Sequence, residues 1–360
     1  PGGTGRLALA GGAHAWSLGY SMNSQSHSTI VGQTGQGVAA RCTSGNTCTM
    51  VTGLSLDYLR FTIPADLAAG LCCDQILRLL SLDALGLDVE HRRGGHLFWR
   101  CSAFIARGGI VAWGGNHDTA CVDLSGGALA YLAAMGLDVL TWAAWCMARG
   151  CRVTRIDVAL DDTGERLTKR RVLQAVRDGG AITRARSADI QQPLFGGSGW
   201  TMYFGARRSS VLVRIYDKAA QLKARGPWVR LEVEYKNRKA HAVALAWAAA
   251  GWTAGAAIGF IRDALDFRQP SATDSNCARW GLRSWWSDIV GQVERCRVLV
   301  GRLEDSIERV ATWLASCASA LAAVVEVKGE RFLQQVLERG HANMSPRHSR
   351  MVVLALATSG

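Results

Sequence analysis

The chain has no CxxC pair, no His-x-His or HExxH, no GxxxxGK(S/T) loop and no GxSxG elbow. Each absence removes a chemistry. Without CxxC spacing, the 11 cysteines do not read as a zinc site or a redox pair. Cys101, Cys121 and Cys146 lie inside apolar patterns, as small core residues do, and the odd count fits a reducing cytoplasm. The histidines carry no paired spacing; His96 and His117 flank strands and read as satisfied or solvated side chains. Lack of a phosphate-cradling loop argues against an ATP-driven motor, and lack of a serine elbow against that hydrolase type. Acidic residues are scarce too, 29 against 41 lysines and arginines, for a formal net charge of +12. That balance favours a polyanionic partner, nucleic acid first and an acidic membrane surface second. The uncharged stretch from Ala240 to Ile261 is long enough to cross a bilayer. It is mostly Ala and Gly, however, so its drive to insert is weak; it reads as a buried helix, and no membrane partner is expected. No secretory signal opens the chain. Residues 1–49, rich in Gly, Ser, Thr and Ala, read as disordered or as a non-native extension before Met50.

What is present concentrates in one run, Trp200 to Lys218. It reads as a β-hairpin. In its second strand Val211, Val213 and Ile215 alternate with Leu212, Arg214 and Tyr216, so Arg214, Tyr216 and Lys218 share a face. A phenol beside fixed cations is a candidate nucleophile toward phosphate: the cations favour phenolate and neutralise the phosphate under attack. Two further segments alternate in the same way. Arg155, Asp157 and Asp161 oppose Ile156, Val158 and Leu160, while Arg230, Glu232 and Glu234 oppose Leu231, Val233 and Tyr235. As neighbours, these strands give a sheet with one apolar face under helices and one face of acids, arginines and Tyr216. Cross-strand ion pairs on a solvated face explain the pattern. So does a site for a divalent cation, because hard carboxylate oxygens suit Mg²⁺ or Mn²⁺, which would polarise a scissile phosphate. The basic run Lys169-Arg170-Arg171 is suited to tracking DNA phosphates, or simply to solvation.

The expected fold class is α+β: two pseudo-repeated halves with mainly antiparallel sheets backed by helices, plus a C-terminal helical region. Residues 50–150 form the N-terminal half, 151–270 the catalytic half and 271–360 the helical region. In the proposed duplication Gly109 to Gly115 matches Gly199 to Gly205, and only the second copy carries the tyrosine. The pattern predicts one helix from about Lys239 to Leu265 and a long one from Val290 to Val325.

Three blocks resemble the replication initiation factor family: Arg155 to Asp162, Tyr203 through Lys218, and Trp228 to Glu234. A weaker fourth block is Trp113 to Gly126; Leu56 to Thr62 and Trp285-Trp286 also fit. These are trans-acting initiators of rolling-circle plasmids and filamentous phages, with related nicking enzymes of conjugative elements. The two-histidine metal motif of the commoner rolling-circle nucleases is absent. The resemblance implies that Tyr216, in Tyr216-Asp217-Lys218, is the nucleophile, with Arg214 and Lys218 as catalytic partners. It implies nicking of one origin strand, a 5′-phosphotyrosine link and a 3′-hydroxyl primer, with later rejoining. Asp157, Glu232 and Glu234 fall in shared blocks, and Mg²⁺ or Mn²⁺ is inferred from them. Arg155, Arg207, Arg208, Arg230, Lys169, Arg170 and Arg171 are the DNA-binding candidates. Expected partners are origin DNA, a host helicase and a second copy, in a bacterial cytoplasm. The alternative is a non-catalytic DNA-binding regulator on the same scaffold.

Overall fold

The period-two segments are satisfied by a single sheet. The protein is described here by a computed structural model covering residues 38–41, 53–195, 199–291, 293–300, 307–345, 348–349 and 351–352. In chain order the first elements are β1 Val38–Arg41, β2 Leu54–Ile63, α1 Ala65–Ala68, α2 Cys73–Leu79, β3 Glu90–His91, β4 Cys101–Ala106, β5 Gly109–Trp113, β6 Ala120–Ser125, α3 Gly126–Ala134 and α4 Val139–Ala148. Then come β7 Arg152–Asp162, α5 Lys169–Arg177, β8 Ala181–Thr183, β9 Ala188–Gln191, β10 Thr201–Phe204, β11 Val211–Asp217, α6 Lys218–Leu222 and β12 Val229–Lys236. The chain continues through α7 Asn237–Ala249, α8 Ala254–Ala264, β13 Leu265–Phe267, α9 Ser284–Val290 and β14 Arg297–Val300, and ends in α10 Ile307–Ser316, α11 Ala318–Lys328 and α12 Glu330–Ala342.

Ten strands form one antiparallel sheet in the order β3-β4-β5-β6-β2-β7-β12-β11-β10-β9. The order is palindromic about the β2–β7 seam: each half places its first strand at the centre and its next strand of this sheet at the outer edge, then works back inward. This is the expected α+β plan of paired halves, but the two sheets are one. The hairpin match read from sequence is one strand out of step. By position β5 answers to β11 and β4 to β10, whereas the sequence match set β5 against β10. The first half also contributes a tyrosine, Tyr58, to the polar face.

The apolar face carries the core. Leu59, Phe61 and Ile63 of β2, Ile156, Val158 and Leu160 of β7, and Leu231, Val233 and Tyr235 of β12 are all buried. Helix α3 covers β2 and β6, and α7 covers β7 and β12. Phe61 meets Trp142 of α4 edge-on at 5.4 Å between ring centroids. The Tyr235 hydroxyl donates to the Phe260 carbonyl of α8 at 2.7 Å, so its one polar atom is satisfied inside the core. Truncating a side chain such as Ile156 or Leu231 to alanine here costs about 2–5 kcal/mol.

The Ala240–Ile261 stretch is buried as expected, but as two helices. It breaks at Gly251, Trp252 and Thr253, where the Thr253 side chain accepts from the Ala256 N–H and starts α8 anew. Among the described residues no single helix is long and apolar enough to cross a membrane. The long helix expected over 290–325 is likewise absent: β14 interrupts it, and α10 and α11 follow as separate helices. The first part of the expected 271–360 region packs into the main core through Trp285, Trp286, Ile289 and Val290. Asp266, fully buried, accepts from Arg262 at 3.1 Å, Arg268 at 3.0 Å and the Trp286 indole at 2.7 Å, which seats α9 against β13. Cysteine expectations hold in part. Cys121 and Cys146 are buried, Cys101 is exposed, and Cys296 is disulfide-bonded rather than a reduced thiol. Of residues 1–49, only 38–41, which form β1, are among the described residues.

Candidate active site

Strand pairing brings the three polar segments together as neighbours. Register sets Arg214 opposite Glu232, Tyr216 opposite Arg230, Glu234 opposite Asp157, and Arg230 opposite Asp161. Two ion clusters result.

The first holds the three carboxylates expected to bind metal. Asp157, Glu232 and Glu234 are 1%, 3% and 6% exposed. Arg155 grips Asp157 through two bonds, at 2.9 and 2.6 Å, and reaches Glu234 at 3.2 Å. Arg214 pairs with Glu232 and approaches Asp157 at 3.7 Å, and Lys236 binds Glu234 at 2.7 Å. Burial pushes the Asp157 carboxyl up to about 7; Arg155 opposes that, while Glu232 and Glu234 add to it. Among the described residues no three His, Cys, Asp or Glu side chains are placed to hold a metal ion. The reason is visible in the cluster: guanidinium groups take the oxygens that a cation would need.

The second cluster surrounds Arg230. Its guanidinium binds both oxygens of Asp161 at 2.7 Å and Asp57 at 2.6 Å, while the Trp228 indole donates to Asp161 at 2.7 Å. Asp57 was invisible to the period-two pattern. A register shift between Leu56 and Tyr58 turns it onto the polar side.

Tyr216 stands at the edge of both clusters, half-buried. Lys218, from the start of α6, donates to its hydroxyl at 3.5 Å. Asp217 caps that helix by accepting from the Ala220 N–H at 2.8 Å, which fixes where Lys218 begins. The expectation that the cations favour phenolate is overturned. Burial first, then Glu232, raises the Tyr216 phenol above its ordinary value, and Arg230 and Arg214 offset only part of it. Both arginines are already committed to carboxylates, so little of their field reaches the phenol. Burial and then Arg230 lower the Lys218 ammonium below its usual range.

The other basic candidates divide. Arg155 and Arg230 lie in the clusters. Lys169, at the start of α5, donates to the Gln192 side chain close to Tyr216. Arg171 bonds the Glu165 and Arg166 carbonyls, and Arg170 is exposed. Arg207 and Arg208 are exposed on the β10–β11 turn, at the far end of the hairpin from Tyr216.

The same face extends into the first half with a constellation that the sequence reading missed. Asp123 of β6, 3% exposed, binds Arg60 at 2.9 Å and the His96 Nε2 at 2.6 Å. The Tyr58 hydroxyl accepts from the same Arg60 at 3.2 Å, and the Arg155 guanidinium lies 3.8 Å from its ring centroid, linking the two halves of the face. His96 is thus a partnered side chain of the site. Its signal was there: Tyr58 and Arg60 share an alternating face, and Asp123 occupies a strand.

A family model described as a replication initiation factor matches residues 151–337, just over half of the chain. The chain belongs to the replication initiation factor family. This replication initiation factor is 27% identical to the Bacillus subtilis (strain 168) protein named Putative DNA relaxase NicK, over 59% of its own length and 64% of that relative's. It therefore spans less than two thirds of NicK. Its fold is similar to that of a rolling circle replication initiator protein from Geobacillus stearothermophilus, with a TM-score of 0.56 at 23% identity, covering 68% of this chain and 97% of the other. The matched family region starts at β7 and takes in Tyr216, Lys218 and both ion clusters except Asp57.

Proposed function

We propose that the protein initiates rolling-circle replication by nicking one strand of origin DNA, with Tyr216 as nucleophile. The observation that carries this reading is the Tyr216 hydroxyl at the open edge of a charged sheet face, with Lys218 donating to it at 3.5 Å. The neutral fraction of Lys218, enlarged by its lowered pKa, takes the phenol proton. The phenolate oxygen bonds to phosphorus, the bond from phosphorus to the 3′ oxygen breaks, and the 3′ oxygen is protonated from solvent. The product is a 5′-phosphotyrosine and a 3′-hydroxyl, and attack by a 3′-hydroxyl on that link later rejoins a strand. Arg214 keeps its buried Nε–H without a partner, and its guanidinium, beside Tyr216 on the same strand, is proposed to offset charge developing on the phosphate.

Mg²⁺ or Mn²⁺ at Asp157, Glu232 and Glu234 is proposed on donor chemistry alone. Binding would have to draw those oxygens away from Arg155 and Arg214, and no step above runs through it. Lys169, Arg170 and Arg171 on α5 are proposed to hold DNA phosphates beside the nucleophile, with Arg207 and Arg208 engaging DNA farther along the hairpin. A host helicase and a second copy are proposed partners for the C-terminal helices, where Trp313, Leu314 and Val327 are exposed.

The deciding experiment is covalent capture on single-stranded DNA with and without Mg²⁺ or Mn²⁺, followed by peptide mapping. An adduct on Tyr216 supports the nickase. An adduct on another tyrosine keeps the reaction and removes this site. Tight DNA binding without any adduct favours the non-catalytic regulator.

A further inference from the structure

Next to Tyr216 the surface opens into a pocket of about 430 Å³ between the β9–β10 edge and α6. This is within the ~300–1,000 Å³ of ordinary small-molecule sites. Its lining includes Gln191, Gln192, Trp200, Tyr216 and Gln221. One carboxylate borders it, that of Asp217, and an oxygen of that group is used to cap α6. The pocket is thus an indole, a phenol and three amides, with lysines outside.

The lysines decide what the amides can offer. Lys218 donates to the Gln221 Oε1 at 2.9 Å, and Lys169 donates to the Gln192 Oε1. With the Gln192 and Gln221 oxygens taken, the amide nitrogens of those two residues remain, and these are donors only. A planar aromatic ligand lying on Trp200 meets them with its edge.

We infer that this pocket receives one unpaired nucleobase beside the cleaved phosphate and selects for a base whose edge presents acceptors. Guanine does so through N7 and O6, and thymine through O4. Entering by that same edge, adenine and cytosine put an amino donor (N6 or N4) against the amide donors and are disfavoured. Lys169 and Lys218 have two duties here. Each orients a glutamine, and each leaves donor N–H groups for the flanking phosphates. The base must be out of its duplex, because Trp200 and the amides claim its face and its edge together. The inference rests on reading Tyr216 as the nucleophile, since that reading puts the scissile phosphate at the pocket mouth.

The test uses the full chain and a pool of single-stranded oligonucleotides of random sequence. DNA captured as covalent adduct is sequenced across the cut. The expected result is enrichment of G or T at one position flanking the cut, by about tenfold over A. Gln192→Glu and Gln221→Glu replace a donor with an acceptor, and each should move the preference toward A or C. Enrichment of A in the unaltered protein overturns the inference. So does absence of enrichment at the flanking positions, or a preference that neither substitution moves. Filter binding of Tyr216→Phe protein to the same pool separates the two readings. If Tyr216 is not the nucleophile, adducts map elsewhere and the base preference persists in binding. If the pocket inference is wrong, adducts remain on Tyr216 with no base preference.

Discussion

Tyr58 and Tyr216 stand on the same face of one sheet, with β7 and β12 between their strands. The Tyr58 hydroxyl accepts from Arg60 at 3.2 Å, Arg60 in turn binds Asp123 at 2.9 Å, and Arg155 covers the ring at 3.8 Å. Burial, aided by Asp123, pushes its phenol up to about 12. Tyr216 is raised as well, but its hydroxyl meets only a long contact from Lys218, beside an open pocket. Burial and charge treat the two phenols alike. What differs is commitment: Tyr58 spends its hydroxyl inside the protein, and Tyr216 keeps its own for a ligand. A raised pKa therefore does not separate the proposed nucleophile from Tyr58; the lack of strong partners does.

The sharpest way to break this comparison is to exchange the two phenols for phenyl rings. Tyr216→Phe should lower covalent attachment by at least about 10³-fold, while Tyr58→Phe should leave adduct formation within about threefold, since it only removes a structural hydrogen bond. Adduct mapping by mass on both variants reads this directly. Comparable losses in the two would mean that Tyr58 takes part in the chemistry.

The next effect is on stability. Asp123→Asn leaves Arg60 and His96 beside a neutral amide in a buried setting, and breaking such a pair costs about 3 kcal/mol. Denaturant unfolding should show it as a lower midpoint with the slope unchanged. The pH dependence has a definite sign. Burial alone would raise the Asp123 carboxyl, but Arg60, Tyr58 and His96 together hold it below the ordinary 3.8. A depressed folded pKa stabilises above the unfolded value, and that contribution is lost as pH falls through the folded one. The unaltered protein should thus lose this increment below about pH 4, and Asp123→Asn should show no such increment to lose.

A smaller effect concerns Lys218. Its lowered pKa means that the neutral amine gains population as pH rises, so the nicking rate should climb with pH up to that folded value and then level. Lys218→Arg keeps the charge with a group that does not deprotonate in this range, so the climb should move to higher pH. An unchanged pH profile would remove Lys218 as proton acceptor and leave it a neutralising charge.

Much of this site was legible because a strand repeats every two residues. The segments around 157, 214 and 232 each announce a polar and an apolar face, and strands β7, β11 and β12 are adjacent as that patterning requires. The C-terminal half of the site thus followed from local sequence. Asp57 did not, because a shift of register at Leu56/Tyr58 breaks the period at the very residue that reaches Arg230. The Tyr58–Asp123 group depends on β2 lying between β6 and β7, a long-range pairing with no local sign. Strands β3 and β9 are short and exposed along their whole length, without a buried alternate face, so they resemble loops. The error about phenolate has the same root. Sequence shows that cations are near Tyr216, but only cross-strand register shows that Glu232, Asp161 and Asp57 have already claimed them. The expected 290–325 helix failed because apolar spacing at three and four residues does not exclude a short strand such as β14.

The smallest effect tests whether the Tyr58 hydroxyl is structural at all. Removing it takes one acceptor from Arg60, which also binds Asp123, and leaves the ring under Arg155. The loss should be about 1 kcal/mol, the net worth of a partly buried hydrogen bond. It should also be coupled to Asp123. Combined with Asp123→Asn, the Tyr58→Phe cost should shrink, because the carboxylate that binds their shared partner Arg60 is gone. A double-mutant cycle by urea unfolding measures this. Full additivity would mean that the hydroxyl does not depend on Asp123, so that Tyr58 is as uncommitted as Tyr216 and the distinction between the two tyrosines would have to come from the pocket alone.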